Sequence, residues 1–404
     1  VRRVTRISFL MPTYNRAHFI GEALGAILAQ AGTCDEILVI DDGSTDDTAT
    51  VVGGFGDRVR YIRQDNAGKS VALNRAMALT DGEFVWICDD DDLLRADVVD
   101  RMMAAIGDGA GFVFGRYTRF REEADGTRVD LGTGYWPDLS QGMLVRHILE
   151  DAFVMQNAAL VRRASYDAVG PFDEKMLRSL DYEMFVRLAL HCQPRYVDAI
   201  IFDQRKHEGA RGPARALHAA AQSDKVWVEY DRRIFERAYD AVPLGRYEAM
   251  FVADDPALLR RPALLQRACV SARHDMWPQA VDDLAAALEV APESPLQPVE
   301  IAICGRMLGG KHGFAGALDP AVLLRLRAMR ASKPGGAALT DYMLDRAMWR
   351  LWRDQDVHRA EMRRLMLGLA GYRETARLLL RRLRRGRGDG CVAPPPLLRE
   401  RTEA

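Results

Sequence analysis

Over the first 115 residues the apolar positions follow two alternating rhythms. Short continuous runs rich in Ile, Val, Phe and Leu read as strands: ISFLM at 7–11, EILVI at 36–40, VRYI at 59–62, EFVWIC at 83–88 and GFVFG at 111–115. Between them apolar residues recur every three or four positions, which predicts helices around 19–30, 46–54, 69–79 and 95–106. Strand and helix in regular alternation predict a parallel, doubly wound sheet with helices on both faces. From 116 to 213 the pattern loosens, with Gly and Pro punctuation in GTGYWPD and VGPFDE and one further helix around 182–190. This stretch reads as the same domain continuing, so the first domain is expected at 1–213.

From 214 onward strand-like runs stop and the chain becomes Ala/Leu/Arg-rich helix with Pro breaks, predicting an all-α domain over 214–390 and a frayed tail over 391–404 that contains Pro394 to Pro396. Residues 267–295 place Trp277, Ala280 and Leu284 at helical spacing. One such unit fits an ordinary αα-hairpin better than a tetratricopeptide array, which needs about three repeats to be stable. The segment 359–387 carries ten arginines against Glu361 and Glu374, with Leu365, Met366, Leu369, Ala376, Leu379, Leu380 and Leu383 on one stripe. Such a basic amphipathic helix could pack its stripe on the domain or lie on an anionic membrane surface.

Composition narrows the function classes. Basic residues (56) and acidic residues (57) cancel, so no overall charge field points to nucleic acid. The six cysteines, at 34, 88, 192, 269, 304 and 391, form no CxxC pair, which argues against a zinc or redox motif and for reduced thiols in a cytoplasmic setting. No run approaches the about 18 apolar residues that would span a bilayer, and the N-terminal apolar run is too short for a secretory leader. The expected location is the cytoplasm, or the inner face of the membrane through the Arg-rich helix.

The candidate chemistry follows from where the polar clusters fall. After the first strand comes Pro12-Thr13-Tyr14-Asn15-Arg16; after the second, Asp41-Asp42-Gly43-Ser44-Thr45-Asp46; after the third, Gln64-Asp65-Asn66-Ala67-Gly68-Lys69; after the fourth, Asp89-Asp90-Asp91-Asp92. In an open parallel sheet the carboxyl ends of the strands border the ligand crevice, so the four clusters should share one rim. If the acidic run continues as a strand, Asp89 and Asp91 project to one side and Asp90 and Asp92 to the other. Two carboxylates at that spacing suit a hard divalent cation, Mg²⁺ or Mn²⁺, that keeps positions open for phosphate oxygens. Asp92, ahead of Leu93 and Leu94, reads as a helix N-cap. Gly68-Lys69-Ser70 mimics the end of a P-loop, but the first glycine of that motif would fall at Arg63, which rejects it.

Four ordered segments, ISFLMPTYNRAHFIGEALGAILAQ, EILVIDDGSTDDT, NAGKSVALNRAMALTDGEFVWICDDDDLL and VGPFDEKMLRSLDYEMFVRLAL, closely resemble the family 2 glycosyltransferases over residues 5–210. The resemblance implies a GT-A fold: a Rossmann-like, nucleotide-sugar-binding, mostly parallel sheet. It implies a metal-dependent, inverting transfer of a sugar from a nucleoside diphosphate donor, UDP-linked, to a hydroxyl of a saccharide or lipid-linked acceptor, as in polysaccharide and cell-envelope assembly. By position it implies Asp42 as acceptor of a hydrogen bond from the base and Tyr14 packed on that base; alone, these read as a turn aspartate and a core tyrosine. Pro12, Thr13, Arg16, Asn66, Gly68, Lys69, Asn74, Asp89 and Asp90 are implied on the donor, with Arg211 and Lys206 near its phosphates. Asp91 and His207 are implied as metal ligands and Asp181 as general base, a residue that could also be no more than the cap of its helix.

Two departures from the family pattern stand out: Leu73 replaces an arginine of the AxRNRG motif, and Leu180 replaces the glutamate that often precedes the base. They support one alternative, a non-catalytic nucleotide-sugar-binding protein; a second, a nucleotidyltransferase of related architecture, lacks its glycine-rich basic signature after the first strand, which reads PTYNR instead. Acceptor contacts are expected from loops such as 131–142 and 153–157. The helical half is expected to shape the acceptor side, reach the membrane, or form a homo-oligomer.

Overall fold

A strand buried on both faces needs a nearly continuous apolar run, and β1 (Ile7–Thr13) supplies one, with Ile7, Phe9, Leu10 and Met11 almost wholly shielded from solvent and the buried Ser8 hydrogen-bonded to Glu36. The computed structural model describes residues 6–207, 223–311, 313–352, 358–384 and 398–402. β1 pairs in parallel with β2 (Glu36–Asp41) and β4 (Phe84–Ile87), and β2 with β3 (Arg60–Arg63). The remaining strands are β5 (Leu93–Leu94), β6 (Phe112–Glu122), β7 (Arg128–Thr133), β8 (Ala159–Arg162) and β9 (Pro194–Lys206). The order is β3-β2-β1-β4-β8-β6-β9-β5, with β7 pairing off β6. β8 runs antiparallel between β4 and β6, so β6 and β9 point the same way as the first four strands. The sheet is therefore mostly parallel, as the resemblance implied.

Side-chain alternation along the strands divides the helices between the two faces. Ile7, Phe9, Met11, Ile37, Val39 and Trp86 form one core with α1 (Ala17–Leu28), α2 (Thr48–Gly53) and α4 (Val98–Ile106). On the other face α3 (Lys69–Ala78) packs against β1 and β2, burying Ala72, Leu73 and Ala76. The helices α5 (Leu144–Glu150), α6 (Arg163–Val169) and α7 (Leu180–His191) follow, and Phe185 of α7 meets Phe112 of β6 with ring centroids 5.6 Å apart.

The stretch after β4 departs from expectation. The strand stops at Ile87, and Leu93–Leu94 form β5 against Asp203 and Phe202 of β9 instead of opening a helix. α4 begins only at Val98, after Asp97 in a left-handed conformation. Asp92 is therefore not an N-cap: it accepts the backbone N–H of Arg205 at 2.9 Å.

The chain forms two compact units, Val1–Asp138 with Ala152–Trp227, and Leu139–Asp151 with Val228–Ala404. The second unit is built from helices, α5 together with α8 (Ser223–Ala241), α9 (Leu244–Glu248), α10 (Arg260–Arg273), α11 (Trp277–Val290), α12 (Pro298–Arg306), α13 (Pro320–Ser332), α14 (Gly336–Ala347), α15 (Trp349–Trp352) and α16 (Arg359–Arg384). It adds one small antiparallel pair, β10 (Phe251–Ala253) with β11 (Leu398–Glu400). Residues 267–295 form the expected helical hairpin of α10 and α11, with Trp277, Ala280 and Leu284 buried. The Arg-rich segment is not one helix: Gly371, at φ 74°, breaks α16 into two legs.

Candidate functional site

The rim is assembled turn by turn. After β1 and β2 the two loops lock together: Ser44 Oγ accepts the N–H of Asn15 at 2.8 Å, Asn15 Oδ1 accepts that of Thr45 at 2.8 Å, and Asp46 accepts that of Ala17 at 3.0 Å at the start of α1. Gly43 makes the second turn possible. Its φ is +88°, and a Cβ there would meet the backbone nitrogen of Asn66 at 3.0 Å. The carboxylate of Asp42 then organises the third loop, accepting Gln64 Nε2 at 2.8 Å and the N–H groups of Ala67 at 2.9 Å and Gly68 at 2.8 Å. A carboxylate offers about four acceptor positions, so Asp42 keeps one for a ligand donor.

These loops, the acidic run and the end of β9 enclose a cavity of about 560 Å³. Of the residues expected at the site, Pro12, Thr13, Tyr14, Arg16, Asp42, Asn66, Gly68, Lys69, Asp89, Asp90, Asp91, Lys206 and His207 line it. Asn74 does not. It lies behind the wall, donating through Nδ2 to the carbonyl of Phe172 at 3.0 Å and to Glu174 Oε1 at 3.0 Å, and accepting the N–H of Phe172 at 2.9 Å. Leu73, in the place of the familial arginine, is a buried core residue of α3. Arg211 falls outside the described residues.

All four aspartates of the run border the cavity, so the two-sided alternation expected of a strand does not hold; a turn follows Ile87 in its place. Four adjacent carboxylates tolerate one another because each has its own partner. Lys69 Nζ donates to Asp89 at 2.6 Å, Arg16 Nε lies 3.7 Å from Asp90 and 4.0 Å from Asp91, and His207 Nε2 sits 3.0 Å from Asp91 Oδ2. Burial and the neighbouring charge of Asp91 push the Asp90 carboxyl up, against the pull of Thr13 and Arg16. Burial also pushes Asp92 well up, helped by Asp89 and Asp91. Burial acts the same way on Asp91, but the His207 hydrogen bond and the Arg16 charge outweigh it and hold that carboxyl below its ordinary range. Of Asp90, Asp91 and Asp92, Asp91 is thus the one whose ionised form is favoured, next to the imidazole.

Asp181 is the second residue of α7, accepting the N–H of Tyr182 at 2.9 Å. It is not part of the cavity wall, although Arg178 and Leu180 are. Lys69 and Asp89, both on the wall, act on it electrostatically: burial raises its pKa, Lys69 opposes the rise, and Asp89 adds to it. Lys69 in turn is held charged against its own burial by Asp89, with contributions from Asp181 and Asp90.

The sequence reading missed Arg205. Its side chain is buried, donates through Nε to the carbonyl of Asp91 at 3.0 Å, pairs with Glu22 at 2.5 Å and with Glu122, and lies over the rings of Phe19 and Phe120. No local signal marked it, because its partners Phe19, Glu22, Phe120 and Glu122 lie far away in the sequence. The wall also takes Ala72, Glu174, Met176, Arg178 and Gln204, which were not singled out as site residues.

The sequence model for glycosyl transferase family 2 matches residues 8–170. The match covers about two fifths of the chain, and over that stretch the chain is similar to the family. Hyaluronan synthase of Pasteurella multocida is 26% identical over 211 residues, covering 51% of this chain and 21% of that protein. Chondroitin synthase of Escherichia coli is 26% identical over 210 residues, covering 51% of this chain and 30% of that one. The match therefore spans under a third of these relatives' length. Among solved structures, S. aureus TarS 1–349 in complex with UDP-GlcNAc superposes with a TM-score of 0.49 at 17% identity, over 86% of this chain and 93% of that one.

Proposed function

We propose that the family 2 domain is a metal-dependent, inverting glycosyltransferase that moves a sugar from a UDP-linked donor to a hydroxyl of a saccharide or lipid-linked acceptor, in polysaccharide assembly. The observation that carries this reading is the gathering of Asp42, the 89–91 carboxylates, Arg16, Lys69 and His207 around one cavity with space for a nucleotide sugar. Tyr14 offers an aromatic face to the base, and the fourth acceptor position of Asp42 takes a base N–H. Arg16, Lys69 and Lys206 offset the diphosphate charge, with Arg211 as a further candidate.

The donor set fits a hard divalent cation, Mn²⁺ or Mg²⁺. Asp91 and His207 offer one ionised oxygen and one imidazole nitrogen side by side, leaving the other positions to phosphate oxygens and water. Among the described residues no cluster of three or more His, Cys, Asp or Glu ligands exists, which suits an ion shared with the substrate rather than caged by protein. When bound, such an ion would stabilise the charge developing on the departing diphosphate. Asp181 takes the proton of the acceptor hydroxyl as that oxygen attacks the anomeric carbon from the face opposite the leaving group. Its raised proton affinity suits the role, and its place at a helix N-terminus beside Lys69 opposes that rise.

The test combines binding with turnover. Thermal stabilisation by nucleotides and nucleotide sugars in Mn²⁺ identifies the donor, and release of nucleoside diphosphate measures transfer. Asp181→Asn should lose at least a thousandfold in turnover while UDP still stabilises the fold, and Asp91→Ala or chelation should abolish turnover. Stabilisation by UDP without any nucleoside diphosphate release by the native protein would refute the enzyme reading and leave a binding protein; pyrophosphate as product would make it a nucleotidyltransferase.

A further inference from the structure

The two legs of α16 treat their apolar residues in opposite ways. In the first leg Met362, Leu365, Met366 and Leu369 are buried, and the helix packs on α13, α14 and α15 within its own unit. After the break at Gly371 only Leu378 is buried among the described residues. Tyr372 is 82% exposed and Leu380 is 55% exposed, the same row containing Ala376, also exposed. One position further round, Arg373, Arg377 and Arg381 form a parallel row of exposed cations. At 100° per residue these rows are adjacent and lie roughly opposite Leu378. The hydroxyl of Thr375 donates to the carbonyl of Met366 at 3.2 Å, tying the second leg to the first. Among the described residues, only Arg377 of the three arginines has a carboxylate partner, Glu374 at 3.2 Å. The sequence continues with Arg382, Arg384, Arg385 and Arg387.

We propose that the second leg of α16, from Tyr372 onward, is a docking surface for an anionic lipid bilayer. Tyr372 and Leu380 enter the headgroup boundary, where an aromatic ring with a polar tip is at home, and the arginine row beside them spreads its guanidinium groups over lipid phosphates. Charge complementarity selects a membrane over a protein. The apolar strip holds two large side chains, far short of the roughly 800 Å² per partner of a stable protein interface, whereas a surface helix on lipid needs only shallow insertion plus several cations. The inference rests on α16 alone and does not depend on the proposed transferase activity.

The experiment is cosedimentation of the full chain with vesicles of pure phosphatidylcholine and with vesicles containing phosphatidylglycerol. Binding is expected to the anionic vesicles only, and to weaken as salt rises. Joint replacement Arg373→Gln, Arg377→Gln and Arg381→Gln should weaken it by about 100-fold, on the basis of about fivefold per arginine. Tyr372→Ser with Leu380→Ser should weaken it at least tenfold. All five side chains are exposed, so the thermal midpoints of both variants should match the native one, which excludes unfolding as the cause. Absence of binding, equal binding to neutral vesicles, or binding unchanged in the arginine variant would overturn the proposal. So would concentration-dependent self-association of the native chain that the Tyr372/Leu380 variant loses, because the strip would then be covered by a second copy.

Discussion

At the scale of single residues, Arg205 fixes the acidic run in place, its backbone N–H donating to Asp92 and its guanidinium to the Asp91 carbonyl. Its guanidinium is buried while its partners Glu22 and Glu122 are partly open to solvent, so the cost of burying the cation is met by two carboxylates, one backbone carbonyl and two aromatic faces. Arg205→Met preserves much of the volume but leaves the Asp91 carbonyl without its donor and takes the second cation from Glu22 and Glu122, which remain paired with Arg128. The loss should be about 2 kcal/mol, below that of a fully buried pair because both glutamates are partly hydrated. Arg205→Lys should recover only part of it, since a lysine cannot fork to several acceptors. Chemical denaturation of the three proteins checks the order native, lysine, methionine; equal stabilities would mean that the aromatic faces and not the charges hold this residue in place.

At the scale of elements, what was legible in the sequence and what was not follows from how far apart the partners lie. β1, β2 and β4 were readable because each holds a continuous apolar run between turn residues, and the acidic rim was readable because parallel strands must deliver their following loops to one edge. β5 was not, since two leucines become a strand only by pairing with β9, some 110 positions away. The insertion of antiparallel β8 and the wall contributed by 174–180 depend on the same kind of distant choice. Asn74 illustrates the consequence for function: the motif placed it among donor contacts, whereas its three hydrogen bonds clamp residues 172–174, just ahead of the wall residues Met176 and Arg178 and of Asp181. Asn74→Ala should therefore accelerate hydrogen exchange across 172–180 and lower kcat about tenfold, with UDP affinity unchanged within twofold. A weakened UDP affinity with normal exchange in that segment would return Asn74 to the donor.

At the scale of the molecule, each compact unit has its own electrostatic signature, and that of the second predicts how it responds to acid. Glu150 of α5 is buried among Arg306 at 2.9 Å, Gln266 at 2.9 Å and Arg146 at 3.4 Å, while Arg273 donates to its backbone carbonyl at 3.0 Å. Burial alone would raise this carboxyl, but Arg306, Arg146 and Arg273 drive it far below its ordinary range. Beside it His147 is buried and donates through Nε2 to the carbonyl of Gln141 at 2.7 Å; burial, then the Arg146 charge, lower its pKa to about 4. The unfolded chain protonates this histidine near pH 6.5, the fold only near pH 4, so between those values the unfolded state holds more protons. The stability from a neutral His147 is complete above about pH 6.5 and is lost as pH falls towards 4, on the order of 3 kcal/mol in all. Glu150 acts in the next window, its contribution being present above its unfolded pKa near 4.5 and disappearing as pH falls below it. Calorimetric unfolding of the native chain should show stability declining in two stages, and His147→Gln, which retains a donor for the Gln141 carbonyl without a titrating ring, should flatten the stage between pH 6.5 and 4 while leaving the lower one. If the variant keeps the full slope above pH 4, the acid sensitivity originates outside this cluster.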